Sequence, residues 1–250
     1  MEATAGGVGD DTAAMPGEFH LTLLRGFELR LDGRLLRPCA GEQRLVALLA
    51  VQGPSTRSVV SGLLWPDANG PRAQGNLRTA LWRLAKLCPG LVTVDGDQLA
   101  LRHVEIDVVT FARWAKRLVD RGAVEDDDVR TARAASADLL PGWYDDWVVI
   151  EREQLRQLRL HALEALAREL EARGRHAVAI EIALSAIALD PLRESAHRTL
   201  ISVYLAEENL SEAARHLRIF ADLLHTELGV APSPQTIQLV ASRVPAIHFR

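Results

Sequence analysis

The side chains with the clearest chemical potential share one face of a predicted helix, Pro71–Leu87. When this segment is laid out at 3.6 residues per turn, its cations and hydrogen-bonding groups fall on one side, and no carboxylate lies among them. An ordinary solvated face mixes both signs, because opposite charges four residues apart stabilise a helix. A face of cations, amides, a hydroxyl and an indole suits phosphates and base edges instead. The candidate nucleic-acid contacts are Arg72, Asn76, Arg78, Thr79, Trp82, Arg83 and Lys86.

A predicted β-hairpin follows this helix directly. Leu91–Val94 and Gln98–Arg102 flank Asp95-Gly96-Asp97, a turn sequence that favours positive φ. A helix followed by a hairpin is what a winged-helix DNA-binding domain requires. The alternative, a merely solvated arginine-rich face, leaves the indole of Trp82 without a role in folding unless it packs on the hairpin or a neighbouring helix. The opposite side of the helix predicts a buried stripe of Ala73, Leu77, Leu81, Leu84 and Cys88.

Several other residues are weaker candidates for phosphate contacts. Helix starts offer free backbone N–H groups and the positive end of the dipole. Arg102 stands at the base of the predicted hairpin and could reach a phosphate or the minor groove. Each of these residues alone also fits a helix cap or a solvated side chain, and both interpretations stand. The candidates at predicted helix starts are Arg44, Thr56, Arg57 and Ser58.

The elements before residue 71 predict the rest of a winged helix. Alternating apolar residues and an Asp32-Gly33 turn predict three short antiparallel strands, and two helices follow, the second with Thr56 as its N-cap. Strands, three helices and a hairpin follow one another as in the OmpR-like winged helix, whose last helix enters the major groove. The predicted bounds are His20–Leu24, Phe27–Leu31 and Arg34–Arg37 for the strands, and Gly41–Val51 and Arg57–Leu64 for the helices.

From Asp107 onward the pattern is helical throughout. Predicted helices cover Val108–Val119 and Arg130–Leu139, and a long amphipathic run continues to Arg173. Gly174–Ala179 aligns with Asn209–Ala214 at an offset of 35, close to the period of about 34 residues in tetratricopeptide repeats. The sequence therefore predicts an α+β winged-helix domain followed by an all-α, tetratricopeptide-like domain. The predicted divisions are a disordered tail over 1–17, the winged helix over 18–104 and the helical domain over 105–250.

Charge is unevenly distributed along the chain. The chain has 250 residues and a net charge of −4, but residues 19–102 hold eleven basic and six acidic residues, which gives +5 there and −9 elsewhere. A basic half joined to an acidic half suits a nucleic-acid reader fused to a domain that avoids nucleic acid. Two cysteines, Cys39 and Cys88, fit a reducing cytoplasm better than a disulfide scaffold, and no signal peptide or membrane span is indicated.

No motif predicts catalysis, a cofactor or a metal. Glu194-x-x-His197 matches one half of a di-iron helix signature, which also needs a second such motif and two further glutamates. Asp145 and Asp146 fit an acidic first helical turn. Phosphate loops, paired CxxC and nucleophile-elbow sequences do not occur. We therefore expect neither an enzyme nor a resident cofactor.

Four stretches resemble the actinomycete antibiotic regulatory proteins, the SARP family. In that family an OmpR-type winged helix is joined to a bacterial transcriptional activation domain of tetratricopeptide-like helices. The resemblance implies that Arg78, Thr79, Trp82, Arg83 and Lys86 occupy base- and phosphate-contacting positions. Trp82 departs from the small polar residue found in many winged helices of this class. The matching stretches are Leu63–Asp67 with Gly75–Leu84, Leu139–Trp147, Glu151–Leu155 and Glu227–Pro234.

The resemblance also implies partners. It implies a cytoplasmic, nucleoid-associated activator that binds direct repeats in double-stranded DNA as side-by-side protomers, recruits RNA polymerase including its sigma factor, and controls secondary-metabolite genes. Two alternatives keep the same fold. One is a helical-repeat adaptor whose winged helix docks proteins, and the other is a ligand-gated regulator with a pocket lined by Trp114, Trp143 and Trp147.

Overall fold

The computed structural model describes residues 17–121, 124–125, 127–134 and 137–243, and it divides into two compact units after Asp107. Apart from Gly17, the tail predicted over 1–17 lies outside the described residues. The first unit contains, in chain order, β1 Phe19–Thr22, β2 Glu28–Leu31, β3 Arg34–Leu36, α1 Ala40–Gln52, β4 Ser55–Thr56, α2 Arg57–Leu64, α3 Gly70–Leu87, β5 Val92–Asp95, β6 Gln98–Leu101 and β7 Val104–Ile106.

The three predicted N-terminal strands form, and a fourth strand joins them. The sheet order is β3-β2-β1-β7, with β1 antiparallel to β2 and parallel to β7. In β7, Val104 pairs with Phe19 across 85 positions of sequence, and its three residues are too few to show an alternating pattern. The carboxylate of Asp107 accepts hydrogen bonds from the backbone N–H groups of Leu23 (2.9 Å) and Leu24 (3.0 Å), which fixes the chain just beyond β1.

The three helices and the hairpin enclose one apolar core. Leu45 and Leu48 of α1, Leu77 and Leu84 of α3 and Leu99 of the hairpin are fully buried. The hairpin is part of a second sheet of order β4-β6-β5, in which Ser55 pairs with Leu99. The backbone N–H of Arg57 also donates to Asp97 O at 3.0 Å. The start of α2 is therefore fastened to the hairpin, which pattern reasoning on single segments did not predict.

The second unit is a series of helices, and among the described residues no helix has the length and apolar character needed to cross a membrane. The long α6 packs against α7 and α8, and α8 packs against α9 and α10. The helices are α4 Asp107–Arg121, α5 Asp128–Ala134, α6 Asp146–Ala172, α7 His176–Leu189, α8 Glu194–Ala206, α9 Leu210–Leu228 and α10 Pro234–Ala241.

The prediction of a helix over Arg130–Leu139 was wrong about both of its ends. The helix α5 is Asp128–Ala134, and Leu139 and Leu140 lie buried in the link before α6. Non-helical backbone can be buried only if its carbonyls find donors. Arg152 supplies them, since its guanidinium donates to Leu139 O at 2.9 Å, Leu140 O at 2.8 Å and Trp143 O at 3.1 Å.

The internal repeat has a period of 34 residues in the structure, so the offset of 35 was wrong by one. After α6, Arg175 N donates to Leu170 O (2.9 Å), and after α8, Asn209 N donates to Tyr204 O (2.8 Å). The sequence alignment had matched Gly174 to Asn209. The structural equivalent of Gly174 (φ 70°) is Glu208 (φ 61°), and both adopt the left-handed conformation.

The 34-residue alignment places Glu208 at the position that glycine occupies in the first repeat. We therefore predict that Glu208→Gly stabilises the protein. A non-glycine residue in the left-handed region costs about 1 kcal/mol or more, and glycine removes that cost. We expect the free energy of unfolding in urea to rise by about 0.5–1 kcal/mol.

Glu207 provides the matched control, because it lies in the same turn with φ −80°. Glu207→Gly should leave stability unchanged or lower it. A loss of stability in Glu208→Gly equal to that in Glu207→Gly would contradict the assigned register.

A histidine pair joins α8 to α9 inside the second unit. His197 Nε2 donates to Pro191 O at 2.8 Å, so its Nδ1 accepts from His216 Nε2 at 2.9 Å when both rings are neutral. The His197 ring also stacks on Phe220. Burial lowers the pKa of His216 to about 4, with the charges of His197 and Arg215 acting in the same direction. Burial also lowers the pKa of His197. His197 of the Glu194-x-x-His197 motif is therefore a packing residue between α8 and α9.

This pair makes stability depend on pH. Because the folded pKa of His216 lies below the usual 6.5, the unfolded chain binds more protons between about pH 4 and 6.5, and stability falls as pH drops through that window. We expect the unfolding free energy to decrease by about 2 kcal/mol from pH 7 to pH 5. His216→Gln can still donate to His197 and should show a shallower decline. Parallel urea-unfolding profiles for the two proteins over this range would refute the prediction.

Candidate nucleic-acid interface

The candidate contact residues are displayed by α3, whose start is well defined. The Asn69 side chain accepts a hydrogen bond from Arg72 N at 3.1 Å and so caps the helix, and Pro71 lies in the first turn. Proline is favoured there because its missing N–H would have no partner in the helix. The helix is therefore rigid from the first residue that carries a candidate side chain.

The buried side of α3 sets which residues point outward. Ala73, Leu77, Ala80 and Leu84 are buried, whereas Leu81, which was predicted in the stripe, is only half-buried. The buried positions are spaced by four, three and four residues, so the stripe runs straight down one side of the helix. The buried side of α3 therefore includes Ala80 and not the predicted Leu81, so it is rotated slightly about the helix axis. The polar side stays unobstructed.

The central feature of the polar side is an exposed tryptophan beside a lysine. The side chain of Trp82 is 59 % exposed, and Lys86 Nζ lies 3.9 Å from its ring centroid. This cation–π contact holds the two side chains together. The Thr79 hydroxyl donates to Gly75 O at 3.0 Å, which leaves its oxygen able to accept. Arg72 and Arg78 are exposed, and Asn76 is half-buried.

The Arg83 side chain lies near a carboxylate that belongs to another helix, α1. Its Nη1 atom lies 4.0 Å from Glu42 Oε1 and 3.8 Å from Cys39 Sγ, both at the start of α1. Glu42 is only 4 % exposed, and its Oε2 accepts a hydrogen bond from Cys39 N at 2.8 Å, which closes a capping box. Cys39 in the place of the usual serine or threonine explains why the sequence did not reveal this box.

The buried carboxylate affects two groups on opposite sides. Burial, together with the charge of Glu42, raises the pKa of the Cys88 thiol to about 11, so Cys88 stays an inert core thiol. On the other side, the charge of Glu42 attracts the Arg83 guanidinium. Between α1 and α3 lies a cleft of about 360 Å³, which Arg83 lines together with Glu42, Trp65 and Asn76. The position of Arg83 is therefore set by α1 as well as by α3.

At the start of α2, two of the groups considered for phosphate contacts already have partners within the protein. Thr56 occupies the N-cap of α2, but its hydroxyl hydrogen-bonds to Ser58 Oγ (3.1 Å) and does not cap the helix. The first N–H of α2, that of Arg57, is already bonded to Asp97 O. Arg44 is half-buried on α1, whereas Arg102 is exposed just after β6, with its N–H bonded to Leu91 O at 2.9 Å.

Sequence reasoning also missed the residue that joins α2 to α3. Gln74 Nε2 donates to Ser61 Oγ at 2.9 Å, and Ser61 is buried. No local pattern marks this pair, because it depends on the crossing of two helices. The Gln74–Ser61 hydrogen bond joins α3 to α2, and the approach of Arg83 to Glu42 joins α3 to α1.

Comparisons with known proteins support this architecture. The sequence model of the bacterial transcriptional activator domain family matches residues 110–242. Regulatory protein AfsR of Streptomyces coelicolor is 29 % identical over 220 residues, which cover 81 % of this chain and 22 % of AfsR. The chain thus spans about a fifth of the length of that relative.

A solved structure extends the likeness across both units. Mycobacterium tuberculosis EmbR, in complex with a low affinity phosphopeptide, matches with a TM-score of 0.73 at 19 % identity, covering 94 % of this chain and 66 % of the EmbR chain. EmbR has the winged-helix plus tetratricopeptide-like architecture, and the fold class predicted from the sequence is confirmed.

Proposed function

The chain belongs to the family of bacterial transcriptional activator domain proteins, and we propose that it is a sequence-specific DNA-binding activator of the SARP type. Proteins of this family are transcriptional regulators, which confirms the prediction that the chain is not an enzyme. The proposal concerns how such a regulator would contact its target. The observation that carries it is the exposed, carboxylate-free side of α3, with Trp82 at its centre.

We infer that α3 lies in the major groove of duplex DNA. The groove is about 12 Å wide, and a helix with its side chains is about 10–12 Å in diameter. Arg78 and Arg83 would then face guanine edges or phosphates, and Thr79 would offer a hydroxyl or methyl contact. Trp82 with Lys86 would present a flat apolar surface beside a cation. Arg72 and Asn76, nearer the start of α3, would then contact the same groove or its backbone.

The remaining candidates would contact the backbone around this groove. Arg102 is exposed beside the hairpin, so it suits a phosphate or the minor groove. Arg57 and Thr56 lie where α2 meets the hairpin. Contacts to phosphate position a protein on the duplex without reading its sequence. The net charge of +5 over residues 19–102, against −3 over residues 108–250, would attract DNA to the part of the chain that contains α3.

The family resemblance extends the proposal to partners. We propose that protomers bind side by side on direct repeats, recruit RNA polymerase through contacts that include its sigma factor, and activate secondary-metabolite genes in the cytoplasm. We further propose that residues 18–104 are sufficient for DNA contact and that residues 105–250 carry the activation function.

Binding selection with the full chain tests the proposed function. A pool of random-sequence duplexes is incubated with the protein at about 0.15 M salt, and bound duplexes are sequenced over several rounds. The proposal predicts an enriched motif that occurs twice at a fixed spacing. The absence of any enriched motif, at this and at lower salt, would refute it.

Arg83 and Lys86 should differ in how they contribute to binding the selected duplex. Arg83 has the Glu42 carboxylate 4.0 Å away, so its charge is partly offset, and Arg83→Ala should lower affinity by about 1–3 kcal/mol with little change in salt dependence. Lys86 lies over the uncharged ring of Trp82, and across the described part of the chain it forms no ion pair. Lys86→Ala should reduce the slope of log K against log salt by about 0.9.

Titrations at several salt concentrations measure both quantities. Arg215→Ala, in an exposed ion pair of the second unit, is the control and should match the parent protein. Equal changes of slope in Arg83→Ala and Lys86→Ala would show that Arg83 serves only as a phosphate contact.

A further inference from the structure

A cleft lined by both polar and apolar side chains lies within the second unit. Its volume is about 510 Å³, and every residue that lines it belongs to α6, α8 or α10. These are alternate helices of the repeat array, so their side chains meet on one side of it. The polar lining relevant here consists of Arg168, Ser195, Arg198, Ser202, Gln235 and Gln238.

Arg168 brings a charge into this cleft that the protein does not neutralise. Its Nε donates to Glu164 O, a backbone carbonyl of its own helix, at 3.2 Å. Over the described residues, no carboxylate lies within ion-pair distance of it. In contrast, Arg133 bonds Glu181 at 2.6 Å and Arg156 bonds Glu153 at 2.8 Å. The guanidinium of Arg168 therefore retains most of its hydrogen-bonding capacity for another molecule.

The Arg198 guanidinium also keeps donor groups for another molecule, although the carboxylate of Glu194 lies beside it. Its Nη1 atom is 4.0 Å from Glu194 Oε1 and 3.3 Å from Thr236 Oγ1. That carboxylate oxygen already accepts from Ser233 N (2.9 Å), from the Ser233 hydroxyl and from Thr236 Oγ1 (2.5 Å). Although burial raises the pKa of Glu194, these hydrogen bonds and, to a smaller extent, the charge of Arg198 hold that pKa below its usual range. Most of the hydrogen bonds that Glu194 accepts therefore come from the start of α10.

The other carboxylates near the cleft are bonded within the protein. Glu164, which lines it, accepts from Arg193 Nε at 2.6 Å and from Ser195 Oγ at 2.7 Å. Glu171, one turn beyond Arg168, accepts from Ser202 Oγ at 2.8 Å. The cleft therefore offers two underused guanidinium groups among carboxylates that already have partners. This favours an anionic occupant.

The shape of the lining favours an extended chain over a compact small molecule. Ser195, Arg198 and Ser202 follow one another along one side of α8 and form a row about 10 Å long. That length matches about three residues of extended backbone. The amides of Gln235 and Gln238 on α10 supply both donors and acceptors, as a peptide backbone requires.

We propose that this cleft binds an extended acidic segment of a partner protein, with carboxylates of the segment on Arg168 and Arg198. The site is separate from α3, so the protein would hold DNA and a protein partner through different units. Bidentate guanidinium–carboxylate contacts would give most of the affinity. The serine and glutamine side chains would align the segment.

Fluorescence anisotropy with labelled hexaglutamate as the probe tests this proposal on the full chain at about 0.15 M salt. We expect saturable binding, with a loss of about tenfold or more in Arg168→Ala/Arg198→Ala. Arg215→Ala is the matched control for loss of an arginine outside the cleft. It should bind as the parent protein does, and circular dichroism should show equal helix content in all variants.

Three results would overturn the proposal. One is the absence of hexaglutamate binding by the parent protein. Another is loss of binding in Arg83→Ala but not in the double variant, which would place the peptide on the α3 surface. A third is equal competition by free glutamate, which would indicate a small-molecule site. The double variant should still enrich the same duplex as the parent, which separates this proposal from that of DNA binding.

Discussion

The rotation of α3 about its own axis is the constraint on which the candidate interface depends. Leu77, Ala80 and Leu84 are buried against the helices before them, and each buried leucine contributes about 1.5–3 kcal/mol. Turning the helix by one position would carry Arg78 or Arg83 into that core, where an unpaired guanidinium is strongly disfavoured. The apolar stripe thus determines which side chains of α3 reach solvent, and it leaves the polar side chains free of the core.

A second constraint acts through Glu42. A carboxylate that is almost wholly buried carries a large desolvation cost, which hydrogen bonds and neighbouring charge must offset. Cys39 N satisfies one oxygen at 2.8 Å, and Arg83 lies 4.0 Å from the other. The same carboxylate therefore takes part in the cap of α1, adds to the effect of burial in raising the pKa of the Cys88 thiol, and lies beside an arginine of α3. This coupling makes the surface of α3 a property of two helices.

Local patterns predicted most of the elements but not the contacts between them. The α3 helix, the hairpin and the first three strands follow from periodicity, turn residues and an N-terminal proline, which act within a few residues. The strand β7, the link from α2 to the hairpin and the Glu42–Arg83 approach depend on residues far apart in sequence. Arg152, which permits Leu139 and Leu140 to be buried without a helix, is of the same kind. The repeat register failed by one residue because alanine-rich helices match at several offsets, and because Glu208 adopts a conformation that the sequence would assign to glycine.

Residues 19–102 carry a net charge of +5 and residues 108–250 one of −3, and the proposed function depends on where α3 meets DNA. Replacing single purines of the selected duplex by their 7-deaza analogues removes the N7 acceptor of the major groove and nothing in the minor groove. The account predicts that at least one such replacement weakens binding by the parent protein about tenfold and has no further effect on Arg78→Ala or Arg83→Ala. Full affinity at every substituted position would contradict the placement of α3 in the major groove.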